Sequence, residues 1–254
     1  MRKLSLSALA SLSCAAVLFS QQAEMVRIPA SACTIGATTS HEEIHKEQVA
    51  AFSIAKTPVT NAQYKDFVDA TGHPAPERNS IGSKFHLWNG NAFPPEIAEQ
   101  PVVNVSWNDV TAYCAWLSKK SGKTFRLPTE EEWEIAARGG QKGKLYPWGD
   151  KIDSKQAWFG GKWNGLSTLR PAGYGEPNAF GLLGMAGNVW QWTADWYVPV
   201  FNGRPVEEEL KLFRVIRGGS WANEAEFLKV NYRNFHPPDF KDLFLGFRVA
   251  TSVD

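Results

Sequence analysis

The C-terminal segment constrains the fold of this chain more than any other stretch. It begins with Arg-Gly-Gly-Ser-Trp at residues 217–221, a turn signal, and ends with an alternating apolar pair, Phe247 and Val249, that predicts a strand. Between them, residues 222–245 carry aromatic residues at neither helical nor strand spacing. We interpret these large aromatics among small polar residues as a displayed surface. An irregular loop whose aromatics pack into the body is the alternative.

The predicted surface is a ligand-binding site. Its members are Ala222, Glu224, Phe227, Asn231, Tyr232, Asn234, Phe235, His236, Phe240, Asp242 and Phe244. Aromatic side chains supply contact area at a small loss of conformational entropy, while Asn, His and Asp add directional hydrogen bonds. A second set of aromatics is expected to hold the core instead: Trp133, Trp190, Trp192, Trp221 and Phe247.

Composition excludes several classes of protein. With 43% hydrophobic residues, 11 Trp and 21 Gly, the chain predicts an ordered, turn-rich globule and not a disordered or coiled-coil chain. Its net charge of +1, without a dense basic stripe, argues against a nucleic-acid partner. We expect one mature domain over residues 21–254.

The N-terminus predicts export. Arg2 and Lys3 precede an apolar run over residues 4–19, so residues 1–20 are typical of a signal segment. Cys14 follows Leu12 and approximates the box where bacterial lipoproteins are cleaved and acylated. Acylation at Cys14, with attachment to the outer membrane at the cell surface, is therefore expected; simple secretion after cleavage near residues 20–23 is the alternative.

Regular structure is predicted in a few places. Residues 25–29 and 32–36 predict a hairpin, residues 51–55 a further strand, and residues 73–101 a long loop over the surface. Three helices are each bounded by a capping residue and a terminating glycine. The capping residues are Thr60, Ser106 and Thr129, and the glycines are Gly72, Gly122 and Gly139.

Candidate catalytic and metal-binding clusters have simpler interpretations. Glu130, Glu131 and Glu132 suit the positive end of the third helix better than a catalytic cluster. His41 and His45 lack a third ligand nearby, so a solvated face is favoured over zinc. Neither an acid/base pair nor a Ser/His/Asp arrangement stands out, so we predict no catalytic residue, metal or cofactor. Cys33 and Cys114 are able to pair in an oxidising compartment.

Six motifs in order resemble those of the formylglycine-generating enzyme, or sulfatase-modifying factor, family. They are Asn-Val-Ser-Trp at 104–107, Arg-Leu-Pro-Thr-Glu-Glu-Glu-Trp-Glu at 126–134, Tyr-Pro-Trp-Gly at 146–149, Gly-Asn-Val-Trp-Gln-Trp at 187–192, the 217–221 motif, and Gly-Phe-Arg at 246–248. The resemblance implies an α+β, C-type lectin-like fold with small antiparallel sheets, few helices and much irregular structure.

The family chemistry is not implied for this chain. Family enzymes hold copper with two cysteines after the Arg-Gly-Gly-Ser motif, and those positions are Asn223 and Leu228 here. Neither residue provides a thiolate. The calcium positions also differ, because Trp158 stands where the family has Asn and Gln191 where it has Glu. We therefore predict a protein that is not an enzyme.

The final block resembles the variable proteins of diversity-generating retroelements, a lectin-fold subgroup of this family. There, mutagenesis at adenines rewrites Asn codons, which yields no Trp, Met or Gln, and residues 222–245 contain none of the three. The resemblance implies a monomeric, surface-displayed receptor or adhesin. Its block 217–250 would bind a protein or other macromolecule on a host or neighbouring cell. An exported enzyme of the family with non-cysteine chemistry is the alternative.

Overall fold

The computed structural model describes residues 23–35, 45–77, 87–198, 200–201, 204–205 and 212–253. Within these ranges the chain forms an α+β structure built around three α-helices and two four-stranded sheets. The predicted signal segment with Cys14, and His41, lie outside the described residues. The side chains of Cys33 and His45 do as well.

The helices begin and end where the sequence predicts. They are α1 (Asn61–Thr71), α2 (Trp107–Ser121) and α3 (Glu130–Arg138). Each begins with a capping box. The N-cap hydroxyl accepts a hydrogen bond from the backbone N–H three residues on, and the side chain of that residue accepts one from the N-cap backbone N–H. Each ends at a left-handed glycine, which adopts that conformation without strain. The six predicted cap residues are confirmed.

The first sheet joins the two ends of the described chain. Its members are β1 (Met25–Ile28), β4 (Phe52–Ala55), β5 (Phe125–Arg126) and β12 (Ala250–Ser252). The strand order is β1-β4-β12-β5, and all neighbours are antiparallel. The C-terminal strand therefore lies between strands from the first half of the chain.

The predicted hairpin between residues 25–29 and 32–36 is wrong. β1 pairs with β4, with Met25 opposite Ala55. The second segment, β2 (Ser31–Ile35), instead pairs with β3 (His45–Val49), where the sequence pattern predicts no strand. Strand partners depend on contacts far apart in sequence, which local periodicity does not report.

The second sheet carries the C-terminal block. It contains β6 (Trp190–Trp196), β9 (Arg214–Arg217), β10 (Arg233–His236) and β11 (Leu245–Phe247), while β7 (Val200–Phe201) and β8 (Arg204–Pro205) form a separate hairpin. The order is β10-β9-β6-β11, so β10 lies at an edge. β11 runs parallel to β6, and the other pairs are antiparallel.

The predicted strand around Phe247 and Val249 divides between the two sheets. The chain leaves the second sheet after Phe247 and enters the first at Ala250. Arg248 lies at the crossing, fully buried, and donates to the carbonyl of Ala55 at 2.8 Å and to Oε1 of Gln191 at 2.6 Å. This single guanidinium ties the two sheets together.

The loop predicted over the surface at residues 73–101 enters the core. Trp88 and Ile97 are 2% and 0% exposed, and the Trp88 indole donates to Oδ1 of Asn61 at 2.7 Å. That part of the prediction is wrong because proline-rich irregular backbone can still bury side chains. The five aromatics assigned to the core are buried as predicted. None of the helices in the described part of the chain has the length and apolarity that crossing a bilayer requires.

Candidate functional site

Two glycines shape the turn after β9. Gly218 and Gly219 have φ angles of +101° and +70°, which side-chain-bearing residues rarely adopt. A Cβ on Gly219 would lie 2.6 Å from Cδ1 of Leu228. The turn therefore closes over Leu228 only because residue 219 is glycine.

The two positions where the family resemblance places cysteines have structural roles in this chain. Oδ1 of Asn223 accepts hydrogen bonds from the backbone N–H and the hydroxyl of Ser220, at 2.9 and 2.7 Å. Leu228 ends a short 3₁₀ turn, Ala225–Leu228, and is 0% exposed. An amide that fixes the turn and a buried leucine replace a pair of thiolates.

The edge strand β10 presents side chains to both faces of the second sheet. Cross-strand partners point to the same face, and successive residues to opposite faces. On β10, Asn234 lies opposite Ile216 and His236 opposite Arg214. In the same two rows of the sheet, β6 contributes Trp192 and Trp196. We call this side of the sheet the tryptophan face. Arg233 and Phe235 point the other way, toward α3, on what we call the α3 face. The predicted site residues therefore do not share one surface.

A stack of aromatic rings covers the tryptophan face next to β10. The His236 and Phe240 rings are nearly parallel, 8° apart, with centroids at 3.9 Å, and the Phe244 ring lies 6.2 Å from His236. Burial lowers the pKa of His236 from 6.5 to about 4, because desolvation penalises the charged ring. The imidazole is therefore neutral at pH 7 and acts as a planar ring with one donor and one acceptor.

A second aromatic group adjoins this stack. Phe227 and Tyr232 meet at 5.0 Å in an edge arrangement, and Tyr232 lies 6.1 Å from Trp190. The backbone N–H of Trp190 donates to the carbonyl of Phe244 at 2.7 Å, which joins the two groups. Phe227, Tyr232, Phe240 and Phe244 are half-buried and pack against the core. The interpretation of these rings as wholly displayed is only partly right, since each also supports the body.

Phe235 is the most exposed aromatic of the predicted set, at 36%, but it lies on the α3 face. It stacks on Tyr197 at 4.1 Å and contacts Phe213 at 5.1 Å. Its backbone N–H donates to Oδ1 of Asn234 at 2.8 Å, so a side chain satisfies a donor of the edge strand.

One predicted site residue is not displayed. Asp242 is 5% exposed, and its Oδ1 accepts from the backbone N–H of Leu243 at 2.6 Å. Burial raises the pKa of this carboxyl. The expectation that the Asp242 side chain is exposed is therefore wrong. Among the remaining members, Ala222 and Glu224 are exposed and Asn231 is half-buried.

Sequence reasoning missed Arg214. Its guanidinium lies between two indoles, with its central carbon 3.6 Å from the Trp107 ring centroid and 3.4 Å from that of Trp196. Nη1 donates to the carbonyl of Ala194 at 2.7 Å, whereas Nε is buried without an acceptor. The three residues come from α2, β6 and β9, and no local pattern connects them.

The α3 face holds its arginines differently. Arg217, 0% exposed, pairs with Glu134, and its Nη1 lies 3.2 Å from Glu130, close enough for an ion pair but not aligned as a hydrogen bond. Arg233 binds Glu130 through Nε at 2.5 Å and Nη2 at 2.9 Å. The glutamates at the start of α3 do flank its N-terminus as predicted, but Glu130 also pairs with Arg217 and Arg233, which sequence reasoning did not connect to it.

Metal ligands and thiols do not assemble among the residues that the structure describes. Within those ranges, no three His, Cys, Asp or Glu side chains come together in a group able to hold a metal ion. Cys114 is a buried free thiol on α2, so the open question of its pairing with Cys33 is answered against a disulfide. Burial raises the pKa of that thiol to about 12, which keeps it protonated and unreactive. Gln191, where the family has Glu, uses its Oε1 to accept from Trp133 and Arg248.

A family model described as the sulfatase-modifying factor enzyme 1-like domain matches residues 15–253. The chain belongs to the sulfatase-modifying factor family. Among its relatives in this family, the formylglycine-generating enzyme of Streptomyces coelicolor is 34% identical over 262 residues, covering 83% of this chain and 81% of that protein. The inactive C-alpha-formylglycine-generating enzyme 2 of Mus musculus is 41% identical over 172 residues, which is 62% of this chain and 51% of that one.

Solved structures share this fold. PvdO from Pseudomonas aeruginosa superposes with a TM-score of 0.74 at 30% identity, covering 90% of this chain and 94% of that one. Treponema denticola variable protein 1 superposes with a TM-score of 0.70 at 24% identity, covering 90% and 95%. The predicted α+β, C-type lectin-like fold with small sheets and few helices is confirmed.

Proposed function

We propose that this protein is a non-catalytic member of the sulfatase-modifying factor family that binds a macromolecular ligand. The observation that carries the proposal is the use of residues 223 and 228 as structural elements. Asn223 ties the turn to Ser220, and Leu228 is fully buried, so neither position offers copper a thiolate. A scaffold without that chemistry retains the exposed surface that follows the turn.

The ligand surface in this proposal is the aromatic part of the tryptophan face. His236, Phe240 and Phe244 form its stack, and Asn234 adds an amide beside them. Phe227 and Tyr232 extend it, and the exposed Ala222 and Glu224 remain in the proposed set. Half-exposed rings held by the core are rigid before binding, which lowers the entropy lost on association. Asp242 leaves the set because it is buried, and Phe235 because it lies on the other face.

Cell-binding measurements test this surface. Labelled protein is titrated onto intact candidate host cells and neighbouring bacteria, and saturable binding is expected. The double variant His236→Ala, Phe240→Ala should weaken that binding at least about tenfold, as loss of a central aromatic anchor does at interfaces. Phe235→Ala is the matched control, an aromatic removed from the opposite face of the same strand. Equal loss in both variants, or no saturable binding by the wild-type protein, would contradict the proposal.

The proposal retains export and an acylated Cys14, because a receptor of this kind must face its ligand outside the cell. Stable anchoring takes more than one acyl chain, as bacterial lipoproteins carry. Mass spectrometry of the mature protein should find an acylated N-terminal cysteine. An unmodified start near Gln21 would rule out the anchor and leave simple secretion.

Diversification of the terminal block is part of the same proposal. It predicts, in the DNA beside the gene, a reverse transcriptase and a near-copy of the region coding for residues 217–250, with adenines at the divergent positions. Sequencing the flanking DNA is the test. If both are missing, the diversification is excluded, while the cell-binding measurement still decides whether the surface binds.

The alternative is an exported enzyme of the family with other chemistry. Incubation of the purified protein and copper with a sulfatase-type cysteine peptide should give no formylglycine, with the Streptomyces coelicolor enzyme as positive control. The variant Asn223→Cys, Leu228→Cys is not expected to gain activity, because the surrounding groove differs as well. Turnover by the wild-type protein would reject the non-catalytic assignment.

A further inference from the structure

Arg214 differs from the three arginines that pair with α3 in what balances its charge. Arg138, Arg217 and Arg233 each lie within ion-pair distance of a glutamate on α3. Arg214 is 9% exposed, yet no described carboxylate lies within ion-pair distance of it. Burying a guanidinium without an anion costs free energy that two aromatic faces offset only in part.

The edge of Arg214 that lacks partners is the one that binds carboxylates. Nη1 is occupied by the carbonyl of Ala194, which leaves the edge formed by Nε and Nη2 without an acceptor in the described structure. Arg138 and Arg233 use this same edge to hold Glu134 and Glu130. Two parallel N–H donors match the two oxygens of a carboxylate.

Of the two donors, Nε is enclosed by the protein and Nη2 is not, so an incoming anion reaches this edge from the Nη2 side. Trp107 and Trp196 fix the guanidinium plane from both sides, so little side-chain entropy remains to be lost on binding. His236, opposite Arg214 on β10, is neutral at pH 7 and adds neither repulsion nor competition. Asp195 acts on Arg214 only at longer range, and its Oδ2 already accepts from the backbone N–H of Glu130 at 2.6 Å.

We propose that Arg214, clamped between Trp107 and Trp196, is the subsite for a carboxylate of the ligand, presented by an acidic side chain of a peptide segment. The ligand would lay its neighbouring apolar groups on the His236 and Phe240 rings and direct its carboxylate at the Nε and Nη2 donors. This inference rests on the proposed binding function for its biological meaning, although the subsite itself is open to direct measurement.

The first test uses benzoate, a planar carboxylate with one ring, and benzamide, its neutral counterpart. In the folded full-length mature protein, the Nε–H resonance of Arg214 is followed by NMR during titration. Benzoate should give a saturable shift and benzamide none. Inorganic phosphate is a third probe, and tighter binding of phosphate than of benzoate would overturn the assignment to a carboxylate. The absence of any saturable benzoate shift would overturn the subsite.

Variants locate the binding. Arg214→Lys keeps the positive charge but lacks the two-donor edge, so the apparent affinity for benzoate should fall at least about tenfold. Arg170→Lys is the matched control, since Arg170 also stacks on an indole, that of Trp158 at 4.4 Å, with a buried Nε lacking an acceptor. It should leave the affinity unchanged within about twofold, because Arg170 stacks on Trp158 and not on Trp107 and Trp196. An equal loss in both variants, or none in Arg214→Lys, would refute the proposal. If Arg214→Lys does not fold, the proposal is decided by the NMR shifts of the wild-type protein with benzoate, benzamide and phosphate.

Two short peptides identify the source of the carboxylate. Acetyl-Phe-Glu-amide should bind with the same Arg214 signature as benzoate, and acetyl-Phe-Gln-amide should not. If benzoate binds and the glutamate peptide does not, the carboxylate belongs to a small organic acid and the peptide assignment is wrong. If these titrations show no binding while the protein still binds cells, the carboxylate subsite is wrong and the proposed receptor function stands. If the glutamate peptide binds at Arg214 but the protein binds no cells, the subsite stands and the proposed receptor function is wrong.

Discussion

Two arginines on β9 meet the cost of burial in opposite ways. Arg217 is fully buried on the α3 face, where Glu134 and Glu130 supply opposite charge and the carbonyl of Val230 accepts a further hydrogen bond at 2.8 Å. Arg214, three residues earlier, lies on the tryptophan face between two indoles and has no carboxylate at ion-pair distance in the described structure.

The difference separates an arginine whose charge is balanced within the protein from one whose charge is available to a ligand. A buried arginine paired with protein carboxylates fixes how α3, β9 and β10 pack, and its two donors without an acceptor, Nε and Nη1, are enclosed by the protein. A buried arginine held by two rings and one carbonyl keeps its positive charge and a pair of donors without acceptors. The same strand thus contributes to the scaffold on one face and, in our proposal, to recognition on the other.

The largest expected effect comes from breaking the buried ion pairs on the α3 face. Arg217→Leu would leave Glu134, which is 0% exposed, with Arg138 alone to balance it. Removing one partner of a buried ion pair typically costs about 3–5 kcal/mol. Urea unfolding followed by circular dichroism should show a loss of this size. A loss under about 1 kcal/mol would mean that the ion network on the α3 face does not hold the fold.

Arg214→Leu should lower the free energy of unfolding by less than Arg217→Leu does. It removes two cation–π contacts, but it also removes a buried donor without an acceptor. No buried carboxylate loses its ion-pair partner. The expected loss is about 1–2 kcal/mol, measured by the same urea unfolding. If the loss equals that of Arg217→Leu, Arg214 is a structural residue, and the contrast between the two faces is wrong.

The smallest expected effect concerns His236 and acid. Its pKa in the folded protein is about 4, below the ordinary value of 6.5, so between these values the unfolded chain binds a proton that the native ring does not. Its contribution to stability is therefore complete above about pH 6.5 and is lost as the pH falls toward 4. Because the ring is partly exposed, we expect about 1 kcal/mol, well below the full shift.

His236→Phe isolates this contribution, since phenylalanine can stack on Phe240 and takes up no proton. The free energy of unfolding of the variant relative to wild type should rise by that amount between pH 7 and pH 4.5. Asp195, whose pKa burial and the nearby Glu131 raise to about 6, titrates in the same range with the opposite sign, but it cancels in the difference. A difference that stays constant with pH would show that His236 is protonated as readily in the folded protein as in the unfolded chain.

The sequence by itself determined the features that depend on neighbours along the chain. The N-caps of the three helices are Thr60, Ser106 and Thr129, because a side-chain oxygen there accepts a hydrogen bond from the backbone N–H three residues on. The turn at Gly218 and Gly219 follows from a backbone conformation that other residues rarely adopt. The ordered motifs were enough to predict the family and the lectin-like fold. The replaced cysteine positions at Asn223 and Leu228 were also readable directly.

Only the tertiary structure decided which residues meet. β1 pairs with β4 and not with β2, and the terminal strand crosses between sheets at Arg248, because sheet partners are chosen by packing across long sequence separations. The division of β10 into two faces placed Phe235 and His236 on opposite sides. The packing of α2, β6 and β9 places Trp107 and Trp196 on the two sides of Arg214. Local sequence patterns do not predict this contact, because the three residues are far apart in the chain.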